Sequence, residues 1–174
     1  TTETDANGVL TVYDTAKSII YGIYGATGSY TIDAEANVVM AGALAGNAVT
    51  HVNLPARLNV SGDFLFTGCT LLTSVNLECA LTEFGDYAFY NTGITTLEIP
   101  ASVKTLGDYV FAGNMALTAV TIPAAVTTMG SYTFAYCPEL AEVTFETTST
   151  VTMGTHTFYC CPKITQVFLP ASFQ

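Results

Sequence analysis

The sequence predicts an α/β repeat solenoid with coils of about 23 residues, and two observations lead to that fold class. The first is a pentapeptide that recurs five times: GDFLF, GDYAF, GDYVF, GSYTF and GTHTF. The second is a set of three apolar residues that follows the last Phe of each copy at offsets of +6, +9 and +11, shifted by one residue in the second copy. Repetition at a fixed period indicates a stack of equivalent units, each burying an apolar face that it cannot bury alone.

Both sets can be read directly from the chain. The Phe anchors are Phe66, Phe89, Phe111, Phe134 and Phe158. The apolar sets are Leu72, Val75 and Leu77; Ile94, Leu97 and Ile99; Leu117, Val120 and Ile122; Leu140, Val143 and Phe145; and Ile164, Val167 and Leu169. A degenerate earlier copy has Leu44 in the Phe position, and a proline follows several of the sets: Pro55, Pro100, Pro123 and Pro170.

The third copy illustrates the elements of one coil. Val120 and Ile122 are two residues apart and therefore point to one face of a strand. Pro123 ends that strand because it has no N–H to donate. Val126 and Met129 predict a second short extended segment, and Gly130 permits a tight turn.

A helical turn is predicted after this glycine. The next residue is Asp63, Asp86, Asp108, Ser131 or Thr155, and all of these types are good helix N-caps. Phe66 is followed by Cys69 at i+3, which would place both on one helical face. Each coil is therefore expected to hold two short strands and one helical turn.

The domain organisation follows from the extent of the repeats. Residues 38–174 are predicted to form the solenoid, with one degenerate and five clear repeats. Residues 1–37 contain the alternating segments GVLTVYD and GSYTID and are predicted to form an N-terminal cap, as a possible hairpin. No C-terminal cap is evident after the last strand, so a partner or a continuing chain is expected there.

Composition excludes several functional classes. The net charge is −10, with only four Lys and Arg residues, which is too few to neutralise a nucleic-acid backbone or to dock on anionic lipid. No apolar run approaches the roughly 18 residues of a membrane span. We therefore expect no nucleic-acid partner and no membrane insertion of this segment.

With the repeat written as G-[DST]-[YF]-x-F-x-x-C-x-x-L-x-x-V-x-[IL]-P-x-x-V-x-x-[LM]-G, residues 38–171 resemble the leucine-rich repeats of BspA-type surface proteins. The resemblance implies a curved leucine-rich repeat solenoid with a parallel β-sheet on one face. It also implies a non-catalytic, cell-surface or secreted module that adheres to a host or cell-surface protein or glycan. The chain departs from the pattern at Asn114, which replaces Cys, and at Glu78 and Glu146, which replace Pro.

Cysteine and histidine often serve as catalytic or metal-binding residues in other proteins, but structural or surface positions account for them in this sequence. Of the five cysteines, Cys69, Cys137 and Cys161 share a repeat position and are interpreted as small buried core residues, with a disulfide between Cys137 and Cys160 or Cys161 on adjacent coils as the alternative. His156 takes the place of Tyr in a surface column, and His51 lies on an outward strand position. We predict no catalytic residue, no cofactor and no metal site.

The candidate ligand-binding face is on the surface of the solenoid and consists of two columns of outward-facing residues on the main strands. One column is Asn53, Asn76, Glu98, Thr121, Thr144 and Phe168, and the other is His51, Ser74, Thr96, Ala119, Glu142 and Gln166. A pre-formed sheet with short polar side chains binds a ligand at little ordering cost. The alternative is that these are merely solvated strand residues, and the column of Tyr87, Tyr109 and Tyr132 is an equally credible contact surface.

The predicted function is therefore an extracellular or cell-surface module for adhesion or for binding of a protein or other ligand. The alternative is a structural spacer or assembly domain of a larger surface protein, with end-to-end self-association at the C-terminal coil. The chain is not expected to be an enzyme.

Overall fold

The fold is a β-solenoid of about six turns, seen in a computed structural model that describes residues 1–146 and 150–168. These residues contain sixteen strands and no helix, so the predicted α/β class is wrong and the solenoid is built from strands and turns. Leu169 and Pro170, the last predicted members of the repeat, lie outside the described residues.

The strands are short, as the spacing of the apolar sets predicts. In chain order they are β1 (Thr2–Thr4), β2 (Leu10–Tyr13), β3 (Ile19–Tyr24), β4 (Thr27–Thr31), β5 (Val38–Val39), β6 (Ala48–Asn53), β7 (Val60–Ser61), β8 (Ser74–Asn76), β9 (Glu83–Phe84), β10 (Thr96–Glu98), β11 (Thr105–Leu106), β12 (Ala119–Ile122), β13 (Thr128–Met129), β14 (Glu142–Phe145), β15 (Thr152–Met153) and β16 (Gln166–Phe168).

The main sheet face is formed by one strand from each coil: β4, β6 and β8, followed by β10, β12, β14 and β16. All neighbours within each group are parallel, and equivalent repeat positions lie side by side, as Val120 does beside Val143. The ladder is interrupted between β8 and β10. Strand β10 belongs to the copy that lacks a residue between its Phe anchor and its apolar set.

The two-residue strands form a second parallel sheet on another side of the coils. Strands β9, β11, β13 and β15 pair in order, and β5 and β7 pair ahead of them. Met129, predicted to end a second short extended segment, lies in β13 and is buried. This part of the sequence-based prediction is confirmed.

The third side, which we call the turn side, consists of six-residue turns at residues 41–46, 63–68, 86–91, 108–113, 131–136 and 155–160. The predicted helical turns are wrong here. The second and sixth residues after the repeat glycine have positive φ. After Gly107 these are Tyr109 at 55° and Gly113 at 73°, and no right-handed helix allows such values. The amides instead bond along the solenoid, as where Phe111 N–H donates to Thr133 O at 2.8 Å.

The repeat glycine is required by the approach of the neighbouring coil. A Cβ on Gly130 would lie 2.6 Å from the amide nitrogen of Asp108 in the preceding coil. The position of the glycine was predicted, whereas the reason for it is close packing between coils.

The core runs the length of the solenoid. Phe66, Phe89, Phe111 and Phe134 form one internal file, each at most 1% exposed, with ring centroids 5.0–5.5 Å apart. Phe158 continues the file at 5.8 Å and is half-buried. The prediction that the repeated Phe residues form a single buried column is confirmed.

The N-terminal residues add an antiparallel extension to the solenoid. Strands β1, β2 and β3 pair antiparallel, and β3 then pairs in parallel with β5. Within the range predicted as a cap, β4 pairs in parallel with β6 of the main sheet face. The division between a cap at residues 1–37 and a solenoid at 38–174 stays a prediction.

Candidate binding surface

The two predicted columns lie on the main sheet face, in two groups. Strand pairing places Asn53 beside Asn76 and His51 beside Ser74 in the first group. The second group holds two rows, in which the cross-strand neighbours are Glu98, Thr121, Thr144 and Phe168 in one row and Thr96, Ala119, Glu142 and Gln166 in the other. The structure therefore brings together the residues within each group, while the break between β8 and β10 separates the groups.

The side chains of these columns have few partners of their own. Asn53 donates to Thr31 Oγ1 at 3.1 Å, and Thr144 donates to Glu142 Oε1 at 3.3 Å. Glu98 and Thr121 are exposed. The face thus presents short polar groups whose hydrogen-bonding capacity is largely directed to solvent.

Two clefts open at the carboxyl ends of these strands. The larger, of about 510 Å³, is lined by Glu98, Pro100, Thr121, Pro123 and Glu146 among others. The smaller, of about 320 Å³, lies at the break in the ladder and is lined by residues of β8 and β10 with Glu78, Glu98 and Pro100. The interrupted pairing therefore produces a concave feature beside the predicted columns.

Glu78, Pro100 and Glu146 were missed as candidate site residues. They occupy the proline position of the repeat, where two copies carry glutamate. For Glu78 and Glu146 the departure from proline was the available signal, because it places a charged residue at an otherwise apolar turn position. Among the described residues, the cations that form ion pairs lie elsewhere: Lys17 with Glu3, Arg57 with Glu35, and Lys163 with Glu139.

The second predicted contact surface, the tyrosine column, is an aromatic stack on the turn side. It runs through Phe64, Tyr87, Tyr109, Tyr132 and His156, with centroids 4.7–4.9 Å apart and ring planes within 9° of parallel. The ring faces inside this aromatic column are covered by neighbouring rings, so only ring edges reach solvent there. His156 takes part as the surface ring that the sequence predicts, and it is exposed.

The repeated aspartates do not cap helices, and that prediction is wrong because no helix begins there. Each accepts an amide from the next coil: Asp63 Oδ1 from Asp86 N at 2.9 Å, Asp86 Oδ1 from Asp108 N at 2.7 Å, and Asp108 Oδ1 from Ser131 N at 2.7 Å. The aspartates therefore link successive coils in a ladder along the turn side.

A buried polar column explains the cysteine position and its replacement by Asn114. Cys69, Cys137 and Cys161 each donate to a carbonyl of the preceding coil, at Leu44, Phe111 and Phe134. Asn114 donates to Phe89 O and Phe111 O and accepts from both the amide and the hydroxyl of Thr92. Asn47 makes the equivalent bonds to Ile23 O and Leu44 O. Burial also raises the pKa of the Cys69 thiol to about 11.

The predicted alternative of a disulfide does not occur in the structure, since all five cysteines are free. Cys69 and Cys137 are fully buried and act as core residues, as predicted, whereas Cys161, predicted with them, is only partly buried. A hydrogen bond with Cys161, together with burial, raises the pKa of Cys137 above its ordinary range. The neutral thiol is thus the form favoured at Cys69 and Cys137.

Within residues 1–146 and 150–168, no three or more His, Cys, Asp or Glu side chains are grouped so as to hold a metal ion. The same part of the chain contains no helix with the length and hydrophobicity of a membrane span. The outward His51 is exposed, and its Nδ1 lies 2.9 Å from Thr50 Oγ1.

A comparison of this sequence with known protein families identifies the family of the chain. The chain matches the BspA type Leucine rich repeat region, in six copies, over residues 26–118 and 105–174. None of the curated proteins matches the chain.

Solved structures share the fold at low identity. The leucine-rich repeat protein TpLRR of T. pallidum is 21% identical with a TM-score of 0.70, over 93% of this chain and 90% of that one. A leucine-rich repeat protein from Bacteroides ovatus is 18% identical with a TM-score of 0.60, over 89% of this chain and 50% of that one. The pneumococcal vaccine antigen PcpA is 14% identical with a TM-score of 0.54, over 100% of this chain and 71% of that one.

Proposed function

Because the chain belongs to the BspA-type leucine-rich repeat family, we propose that it is a non-catalytic binding module of a cell-surface or secreted protein, with adhesion as its role. Its partner is a host or cell-surface protein or glycan, held on the main sheet face. One observation carries the proposal: two columns of mostly polar side chains, most of those described being exposed, lie beside two clefts on a parallel sheet.

The energetic argument is one of pre-organisation. The backbone of the main sheet face is held by strand pairing on both sides of β12 and β14, so a ligand need not order it. The side chains of Thr96, Thr121 and Thr144 have few rotamers to lose on binding. A partner that hydrogen-bonds to these hydroxyls, and fills the adjacent 510 Å³ cleft, gains affinity with little entropic cost.

The family supports a repeat-based module, and the location outside the cell is part of the proposal. One structural neighbour, PcpA, is a pneumococcal vaccine antigen, which is consistent with a surface role for proteins of this fold. The composition is consistent with it as well, since a net charge of −10 disfavours nucleic acid and anionic lipid as partners.

The test is a matched pair of bulky substitutions. Thr121→Arg places a long side chain on the main sheet face, whereas Thr128→Arg makes the same change on the exposed face of β13. We expect Thr121→Arg to abolish retention of the fluorescently labelled chain on cultured epithelial cells and on a glycan array, with an unchanged unfolding midpoint. Thr128→Arg should be retained like the parent chain.

Equal retention of both variants on every surface would contradict the choice of face. The alternative function, a structural spacer or assembly domain that stacks end to end, makes a different prediction. Sedimentation velocity over a concentration series would then show growing assemblies, and both arginine variants would assemble like the parent. A monomer at high concentration counts against that alternative.

A further inference from the structure

The larger cleft beside the main sheet face combines two carboxylates with apolar surface. Glu98 and Glu146 both line it, and both side chains are exposed. Pro100, Ala101 and Pro123 line the same cleft and supply the apolar surface. The cleft, of about 510 Å³, therefore offers two negative charges and an apolar strip to a single occupant.

The spacing of the two carboxylates follows from the strand register. Glu98 lies beside Thr121, and Thr121 lies beside Thr144, so Glu98 and Thr144 are two strands apart at the same level. Glu146 follows Thr144 by two residues and projects from the same face, and its N–H donates to Ile122 O in the preceding coil. With about 4.8 Å between strands and about 3.3 Å per residue, the backbones of the two glutamates are about 12 Å apart, which an extended peptide spans in about four residues.

The charge around the clefts is not balanced by the chain itself. Glu78 lines the smaller cleft together with Glu98, so Glu98 borders both clefts. The described residues that line the two clefts include no Lys, Arg or His, and three of the four basic side chains of the chain pair with carboxylates elsewhere. A partner that brings cations to the clefts therefore gains attraction without breaking an ion pair of the fold, and the net charge of −10 favours its approach.

We propose that the larger cleft binds an extended, basic segment of a partner protein. Two arginine side chains on the same face of that segment, about four residues apart, contact Glu98 and Glu146, and the apolar side chain midway between them packs on Pro123. Arginine suits this cleft because its planar guanidinium forms paired hydrogen bonds with a carboxylate. The inference rests on the proposed function and narrows its partner to a protein, since a neutral or acidic glycan gains no attraction from the two carboxylates.

The experiment measures the fluorescence anisotropy of labelled peptides titrated with the chain. The peptide Arg-Ser-Val-Ser-Arg places both arginines and the valine on one face of an extended backbone, whereas Arg-Arg-Ser-Val-Ser has the same composition and charge with adjacent arginines. We expect the first peptide to bind about three-fold more tightly, because the second can bring only one arginine to a carboxylate and one exposed ion pair contributes about this much. Added salt should weaken both.

Glutamine variants identify the carboxylates. Glu98→Gln and Glu146→Gln keep the shape of an exposed side chain and should each weaken the spaced peptide about three-fold and remove its advantage over the adjacent one. The matched control is Glu83→Gln, which removes the same charge from an exposed residue of β9 that lines neither cleft, and it should leave that advantage unchanged. The double variant at positions 98 and 146 should also lower retention on the cultured cells.

The proposal is overturned if the two peptides bind equally, or if Glu83→Gln weakens the spaced peptide as much as Glu98→Gln does, because net charge alone would then account for binding. It is also overturned if a neutral glycan retains the double variant of Glu98 and Glu146 as strongly as the parent chain. In each of these cases, a loss of retention with Thr121→Arg and not with Thr128→Arg would leave the proposed function standing. Equal retention of those two arginine variants would overturn both.

Discussion

The turn side and the main sheet face repeat in different ways. On the turn side, the same residue types recur from coil to coil and contact one another, as in the aspartate ladder and the aromatic column. On the main sheet face, the outward residues change from Asn to Glu to Thr, and few of them bond to the next coil. Residue types therefore recur where the side chains contact the next coil, and they vary on the face whose side chains the fold does not use for such contacts.

The energetic reason lies in the backbone of the turn side. Non-glycine residues such as Tyr87 and Tyr136 have positive φ there, at a cost of about 1 kcal/mol or more each. Stacking between adjacent rings contributes about 1 kcal/mol per pair and offsets that cost. The main sheet has no such strain, because its extended backbone suits β-branched residues.

The largest effect is expected at Asn114, a buried residue directly after the turn at residues 108–113, whose side chain makes four hydrogen bonds. Asn114→Ala removes the partners of Thr92 N, Phe89 O and Phe111 O, and the alanine leaves these buried groups unsatisfied. We expect the free energy of unfolding to fall by about 3 kcal/mol or more. Urea unfolding followed by circular dichroism measures it.

The matched control is Asn114→Cys. Cysteine occupies the equivalent position at Cys69 and Cys137, where the thiol donates to the preceding coil. It should restore one carbonyl partner and cost clearly less than alanine. An equal loss of stability for both variants would show that the hydrogen bonds of Asn114 do not hold the coils together.

Much of this architecture could be predicted from the sequence, because the same residue types recur in each coil of a solenoid and lie beside one another in successive coils. The spacing of the Phe residues predicted the core file, and the pairs such as Val120 and Ile122 predicted the buried face of each strand. Both follow from the alternation of strand side chains, which depends little on context.

The conformation of the turn side could not be predicted in the same way. A glycine followed by aspartate and an aromatic residue is typical of a helix start, and tyrosine rarely has positive φ. The stacking that compensates for this conformation exists only once the coils are assembled. A signal was nevertheless present: Gly42, Gly46, Gly68 and Gly113 occupy the two positive-φ positions in other copies.

The candidate site was only partly predictable for a related reason. The outward columns follow from strand alternation, so the sequence places Thr121 and Glu98 on the exposed face of the sheet. The cleft at Glu78 depends on where the ladder breaks, and that break is a three-dimensional property of strand pairing.

A smaller effect is expected from the aspartate ladder. Asp86→Ala removes the acceptor for Asp108 N–H, and this partly exposed bond should cost about 1 kcal/mol of unfolding free energy. Asp86→Asn keeps an oxygen at the same place and removes one of three like charges in the column, so it should cost less than alanine or nothing. Chemical denaturation of both variants compares them directly. A loss with Asn as large as with Ala would mean that the charge, rather than the acceptor, matters.

The smallest effect is expected on the main sheet face, at Thr121. Thr121→Val keeps the β-branched shape and the strand propensity, and it removes only an exposed hydroxyl. The free energy of unfolding should change by less than about 0.5 kcal/mol. A loss above about 1 kcal/mol in the same denaturation assay would place Thr121 among the residues that hold the coils together, and the two sides would no longer differ in kind. If the stability is unchanged while retention on cells falls, the hydroxyl serves a partner, because the fold has then been shown not to need it.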